Sequence, residues 1–336
     1  MNIRQFIEEC KKRLSPLYPA GEISSLAARA LEDIFSISRT HQLTYPEEEI
    51  CLSDPEEVIS RLESGEPIQY IAGFEYFCGD KFKVGPGVLI PRPETEELVN
   101  LIVEDFKKDF LPGDAGVPKS RTLESKYRGK RCLCPENHET GITFSSLQPF
   151  KIFDICTGSG CIAWSLHKLL ENIVANNNIA LETYGCDISE TALEYAQNQR
   201  FRHGRRWPMF FRYDVLQDIS RQGFAALRSF IGKLDIIVSN PPYIAEKEKS
   251  LMHKNVLDFE PEEALFVSDE DPLLFYRKIA EMAKELLYPG GKLYFEINPL
   301  FAEELKSMLQ KMGLCNVLLV KDISGKFRFA SASYCS

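Results

Sequence analysis

The sequence predicts an α/β protein, a mostly parallel, doubly wound sheet preceded by a small all-helical segment. Three observations predict it. From Lys151 onward, short apolar runs alternate with helix-period segments, and repeated βα units assemble into a largely parallel sheet. Across roughly the first 75 positions, apolar residues recur at helical spacing instead. The last two β-rich runs, 316–321 and 326–334, are adjacent in sequence, which adds an antiparallel pair at one sheet edge.

Each element has its own signal. Ile3, Phe6, Ile7, Cys10, Leu14 and Leu17 line a first helix. A second carries Leu26, Ala27, Ala30, Leu31, Ile34 and Phe35 on one face, with Ser24 or Ser25 expected as its cap. Asp54, Pro55 and Glu57 begin another, with a side-chain cap, a proline in the first turn and a carboxylate at the positive helix end. Gly65 ends it. Residues 1–75 hold 7 basic and 14 acidic side chains, a net charge of −7, and show no catalytic pattern. Between 73 and 93, Gly73, Gly79, Gly85, Pro86, Gly87, Pro91 and Pro93 interleave with Phe74, Phe77, Phe82, Val84, Val88, Leu89 and Ile90, the pattern of a β-hairpin linker. A helix over 94–110 follows.

Residues 112–149 lose all periodicity and read as an irregular surface insertion, with six basic residues and one acid over 119–131. Strands are then expected at 151–156, 181–186, 210–213, 234–239 and 291–297. Helices are expected at 161–173, 190–199, 273–287 and 301–312. The organisation is a helical domain over 1–72, a linker over 73–93 and an α/β domain over 94–336 that carries the insertion.

Composition narrows the function. The 336 residues are 44% hydrophobic and 26% charged, ordinary for a core-forming chain. No run approaches the ~18 apolar residues of a membrane span. The net charge of −9 repels nucleic acid overall, which favours a small-molecule or protein substrate. The first twelve residues, with Glu8 and Glu9, lack the apolar core of a secretory signal. Ten scattered cysteines without such a signal are expected as free thiols in a reducing cytosol.

Four constellations carry chemistry. Asp154 to Gly160, Asp-Ile-Cys-Thr-Gly-Ser-Gly, follows the first α/β strand and opens a helix, where glycines admit a ligand to the backbone and N–H groups face it. A dinucleotide fingerprint has a third glycine that is missing here. The strand-D-x-x-x-G-x-G order instead resembles the loop of S-adenosylmethionine-dependent methyltransferases. A ligand-free turn is the bland alternative. Asp187, ending the second strand, is placed to accept both ribose hydroxyls of such a cofactor. It could equally cap the next helix, a role that Ser189 also fits. Asp214-Val215, after the third strand, would border the adenine, or Asp214 is an ordinary loop residue.

The fourth constellation is Ser239-Asn240-Pro241-Pro242-Tyr243-Ile244, at the end of the fourth strand. Doubly wound sheets bind ligands at carboxyl strand ends where the order reverses. The prolines stiffen the backbone and have no N–H to pair its carbonyls. The Asn240 side-chain oxygen and the Pro241 carbonyl then offer two acceptors, and Tyr243 a flat face. That suits a planar nitrogen bearing two N–H bonds, an amide or an aromatic amine; a rigid turn is the bland alternative.

Together with Gly65-Glu66-Pro67-Ile68-Gln69-Tyr70-Ile71 and Leu89-Ile90-Pro91-Arg92-Pro93-Glu94-Thr95-Glu96, these residues closely resemble the PrmC/HemK family, the glutamine N5-methyltransferases of peptide-chain release factors. Phe259-Glu260-Pro261 with Ala264-Leu265, and Lys321 to Gly325, match as well. The resemblance covers nearly the whole chain outside 112–149. It implies a Rossmann-like class I methyltransferase domain with a mostly parallel seven-stranded sheet, behind a helical domain that recognises the substrate. It implies S-adenosylmethionine as cofactor and the glutamine of a release-factor Gly-Gly-Gln loop as substrate. Cys156, Thr157, Gly158, Ser159, Gly160, Asp187, Asp214, Val215 and Asn240 would hold the cofactor. Asn240, Pro241, Pro242 and Tyr243 would hold the glutamine, with Asn240, Pro241 and Tyr243 acting in catalysis. Cys156 departs from a usual glycine, and Val215 from an aromatic residue found in some members. Cys132, Cys134 and His138 cluster without a fourth ligand, so no metal is expected. The competing readings are an adenine-N6 or other nucleic-acid amine methyltransferase, and a non-catalytic module that kept the fold. Neither a stable nucleic-acid partner nor a membrane is expected.

Overall fold

The computed structural model describes residues 1–110, 148–176, 179–199, 201, 207–217, 229–230 and 232–335. The basic run at 119–131 and the Cys132, Cys134 and His138 cluster lie outside the described residues.

Five helices, Ile3–Leu14, Ala20–Asp33, Arg39–Thr44, Pro55–Glu63 and Ile68–Ala72, open the chain. They enclose their own apolar cluster, in which Ile3, Phe6, Leu14, Leu31, Ile59 and Leu62 are fully buried. Each such side chain contributes about 1.5–3 kcal/mol through burial. Asp54 caps its helix by accepting from the Glu56 N–H at 3.0 Å, with Pro55 in the first turn. The cap expected at Ser24 or Ser25 is a correction. That helix already begins at Ala20 behind Pro19, and both serines sit in its first two turns, donating back to the Ala20 and Gly21 carbonyls. Proline fixes the entry φ without needing a side-chain cap.

Strands β1 (Phe74–Phe77) and β2 (Asp80–Lys83) form an antiparallel hairpin. The segment after it is fastened to the α/β unit in two ways. Gln199 brackets Lys83, accepting from its N–H at 2.9 Å and donating to its carbonyl at 3.0 Å. Tyr70, Val84, Val88 and Ile90 pack around Ala192. Helix Pro93–Phe110 follows.

The main sheet has seven strands: β3 (Phe150–Ile155), β4 (Leu181–Asp187), β5 (Met209–Arg212), β6 (Leu234–Ser239), β9 (Leu287–Glu296), β10 (Leu314–Lys321) and β11 (Phe327–Tyr334). A separate short pair is made by β7 (Ile244–Ala245) and β8 (Phe266–Val267). The order across the sheet is β10-β11-β9-β6-β3-β4-β5. All pairings from β9 to β5 are parallel, while β11 pairs antiparallel with both β9 and β10. The expected antiparallel edge is therefore present. β9 begins at Leu287, earlier than its apolar run implied: Leu287 already pairs with Leu234, and an irregularity containing Gly290 at φ 87° precedes the regular pairing that resumes with Lys292 opposite Ile236.

Alternate residues of the central strands serve opposite faces. Phe153, Ile155, Ile237, Leu293 and Phe295 join one buried layer, together with residues of helices Leu274–Leu286 and Ala302–Lys311. Ile152, Ile236, Val238 and Tyr294 join the other, together with residues of helices Pro93–Phe110 and Cys161–Ala175. Both faces are thus covered, as a parallel sheet requires. The chain leaves β3 toward β4 on one side and returns to β6 on the other, so the switch point lies between β3 and β6.

The free-thiol expectation needs one correction: Cys315 and Cys335 form a disulfide between the paired strand ends of β10 and β11. Leu314 faces Tyr334 and Cys315 faces Ser333 there, which brings the two Cα atoms to 6.1 Å, within bridging reach. Among the described residues, Cys10, Cys51, Cys78, Cys156, Cys161 and Cys186 are free. No helix among them is long and apolar enough to cross a membrane.

Candidate active site

At the carboxyl ends of β3, β4 and β6 lies a cleft, the place where doubly wound sheets bind their ligands. Cys156, Gly158, Asp187, Asp214, Val215, Asn240 and Pro242 all line it. Thr157, Ser159, Gly160, Pro241 and Tyr243 do not.

The loop after β3 is built from unusual backbone. Cys156, Gly158 and Gly160 all have positive φ, at 59°, 55° and 79°. Gly160 is also tightly enclosed: a Cβ there would stand 3.1 Å from Ala196, Phe210 and Trp164. Gly158 is the opposite case. A Cβ would meet nothing within 4 Å, so a side chain would extend into the cleft itself. Bare backbone at that point is what a close-lying ligand needs. Cys156 bears the strain of a left-handed backbone on a non-glycine residue, about 1–2 kcal/mol, which accounts for glycine as the alternative there. Burial and the neighbouring Asp187 push its thiol well above the ordinary range, so it stays protonated.

Thr157 and Ser159 face inward. The Thr157 hydroxyl donates to Asp154 at 2.5 Å, and the Ala163 N–H donates to the same oxygen at 3.2 Å. Asp154 is fully buried, and burial raises its carboxyl to about 7. It is the internal brace of the loop.

Asp187 accepts one backbone N–H on each oxygen, from Gly158 at 2.9 Å and Ser189 at 3.0 Å. Ser189, not Asp187, caps helix Glu190–Gln197. Each Asp187 oxygen therefore keeps a lone pair for a further donor in the cleft. Burial pushes this carboxyl up, and the backbone N–H groups of Ser189, Gly158 and Ile188 pull it back. Asp214 accepts from the Leu216 N–H at 2.9 Å. Val215 is buried and presents an apolar wall, with Phe275 and Leu89 among its companions in the cleft.

Asn240 directly follows β6, whose last residue, Ser239, pairs in register with Ile155. Its Nδ2 donates to the Thr95 hydroxyl at 3.3 Å. Pro241 and Pro242 are buried. The Tyr243 hydroxyl donates to Glu296 at 3.1 Å, and the Tyr243 carbonyl accepts from Asn298. The Asn240–Tyr243 segment is thus held from behind by β9 and the residues after it.

Several contributors escaped the sequence reading. Glu260, whose side chain is 1% exposed, accepts from Arg92 at 2.6 Å and from the Ile90 N–H at 3.2 Å. This ties the segment carrying Gly87, Val88 and Leu89 to the one carrying Pro261, Glu263 and Ala264, and all six residues line the cleft. Thr95 and Glu296 lie 145 and 56 residues from Asn240 in sequence. Only the family-like segments around Arg92 and Glu260 offered a signal for any of these residues. Among the described residues no cluster of His, Cys, Asp and Glu is arranged to hold a metal.

Residues 5–73 match the PrmC N-terminal domain family. The chain is 39% identical to a release factor glutamine methyltransferase of Bacteroides thetaiotaomicron, over 96% of this chain and 97% of that one. It is 35% identical to the enzyme of the same name from Flavobacterium psychrophilum, over 99% and 100%, and 32% identical to that of Thermodesulfovibrio yellowstonii, over 80% and 76%. With identity this high along nearly the full length, the chain belongs to the release factor glutamine methyltransferase family.

Proposed function

We propose that this chain transfers a methyl group from S-adenosylmethionine to the side-chain amide nitrogen of the glutamine in the Gly-Gly-Gln motif of peptide-chain release factors. The observation that carries the reading is Asn240. It stands at the switch point of the sheet and lines one cleft with Asp187 and Gly158.

The residues present fit the cofactor. Gly158 leaves open space where a side chain would intrude, and Asp187 retains acceptor capacity for two ribose hydroxyls. Val215 and Asp214 line the same cleft and would border the adenine. The bound cofactor supplies an electrophilic sulfonium methyl. An amide nitrogen is a weak nucleophile because its lone pair is delocalised. The chain's task is therefore to orient it, with reacting atoms about 3–3.5 Å apart. The Asn240 side-chain oxygen and the Pro241 carbonyl accept its two N–H bonds and stabilise the positive charge that develops there. The proton leaves to water after transfer.

The acidic helical segment at residues 1–72 acts as the recognition domain for the release factor, and the enzyme works in the cytosol with no stable nucleic-acid partner. Incubation with tritiated cofactor, purified release factors and total RNA tests the reading. Label is expected in the release-factor protein. Label confined to RNA would instead establish the nucleic-acid amine alternative.

A further inference from the structure

We propose that Thr95 and Glu296 are positioning residues that fix the amide orientation of Asn240, so that its Oδ1 rather than its NH2 group is presented to the substrate. The inference rests on the reading of Asn240 as the amide clamp and deepens it. An asparagine amide can occupy its site in two nearly isosteric orientations, and only its hydrogen-bond partners select one. If the NH2 group faced the substrate glutamine, donor would meet donor and the clamp would repel the nitrogen it must hold.

The selection is made by a buried relay. Thr95 lies in the first turn of helix Pro93–Phe110 and is 2% exposed; Glu296 ends β9 and is 1% exposed. The Thr95 hydroxyl has one proton and gives it to Glu296 Oε2 at 2.7 Å. Its oxygen can then only accept, and it does so from Asn240 Nδ2 at 3.3 Å. The reversed amide would set Oδ1 against an oxygen with no proton to offer. Glu296 is anchored in turn through Oε1, which accepts the Tyr243 hydroxyl at 3.1 Å. β9 runs parallel beside β6, with Ser239 opposite Phe295, which brings Glu296 next to Asn240. The relay thus joins three elements separated widely in sequence. It also gives Tyr243 a role behind the clamp, consistent with its absence from the cleft lining.

The test measures initial rates on intact release factor with the full chain, together with calorimetric cofactor binding, for Thr95→Ser and Thr95→Val. The serine variant keeps the hydroxyl and should retain kcat within about threefold, whereas the valine variant should lose at least about tenfold in kcat with KM and cofactor Kd nearly unchanged, because intact release factor binds mainly through the helical domain while the lost acceptor acts most strongly on the charge that develops on the nitrogen. Glu296→Gln provides a second arm if the valine variant does not fold. Its amide can donate to Thr95 and free the threonine proton for Asn240 Oδ1, so the same loss in kcat is expected. A folded Thr95→Val enzyme at wild-type kcat, or a serine variant as impaired as the valine one, overturns the relay alone. A wild-type enzyme that binds cofactor but labels no release factor overturns the functional reading and the relay with it.

Discussion

On the proposed reading Asn240 serves the glutamine and Asp187 the cofactor, so their variants should fail differently. Asn240→Ala removes the amide acceptor and leaves the cofactor loop untouched. Methyl transfer should fall by at least ~10²-fold, the scale of losing one preorganised transition-state partner, while calorimetry should find that cofactor affinity falls far less. Asp187→Ala strips a charged acceptor worth ~1.5–3 kcal/mol from the ribose hydroxyls, so its cofactor Kd should rise at least tenfold. An unaltered Kd would place the ribose elsewhere. Cys156→Gly relieves a left-handed backbone worth about 1–2 kcal/mol against an entropic cost of ~0.5–1 kcal/mol. Its melting temperature should therefore stay level or rise slightly, and a clear fall would contradict the strain assigned to Cys156. Asp187 and Asn240 were visible in the sequence because each ends an apolar strand next to a turn signal. Thr95, Glu260 and Glu296 were not, because their meaning arises only when distant segments meet.

Among the elements, the β3 loop carries an internal ionisation that should be measurable. Burial raises Asp154 from its ordinary value to about 7. A raised carboxyl binds its proton more tightly in the folded state, so its stabilising contribution is complete below about pH 4 and is lost as pH rises through about 7. Between pH 6 and pH 8 the wild-type melting temperature should fall relative to that of Asp154→Asn. Parallel pH profiles would show that Asp154 does not titrate in this window. Strand and helix order was legible because apolar periodicity changes from two to 3.6 along the α/β region. Strand β6 even has the bounds its apolar run gives, Leu234–Ser239. Ser24 and Ser25 do not cap their helix because Pro19 starts it without a side-chain bond. The Cys315–Cys335 bridge is not legible in the sequence, because spacing alone does not reveal that β10 and β11 pair at those ends.

At the scale of the molecule, a carboxamide clamp cannot choose one glutamine among all those in a cell, so selectivity must come from a second surface. The segment 1–75, with net charge −7, suits a basic face of the release factor. Raising ionic strength should lower kcat/KM on intact release factor steeply while leaving the slow reaction of a short Gly-Gly-Gln peptide nearly flat, because screening acts on association between charged surfaces. Equal salt dependence for both substrates would remove the acidic segment from recognition. The central claim, that Asn240 holds a glutamine amide for methylation, is tested most directly by mass spectrometry of the release factor's Gly-Gly-Gln peptide after incubation with enzyme and S-adenosylmethionine. The account predicts a peptide one methyl group heavier, with the gain on the glutamine side chain, from the wild type and almost none from a folded, cofactor-binding Asn240→Ala. A methyl group on any other residue, or undiminished glutamine methylation by the variant, would contradict it.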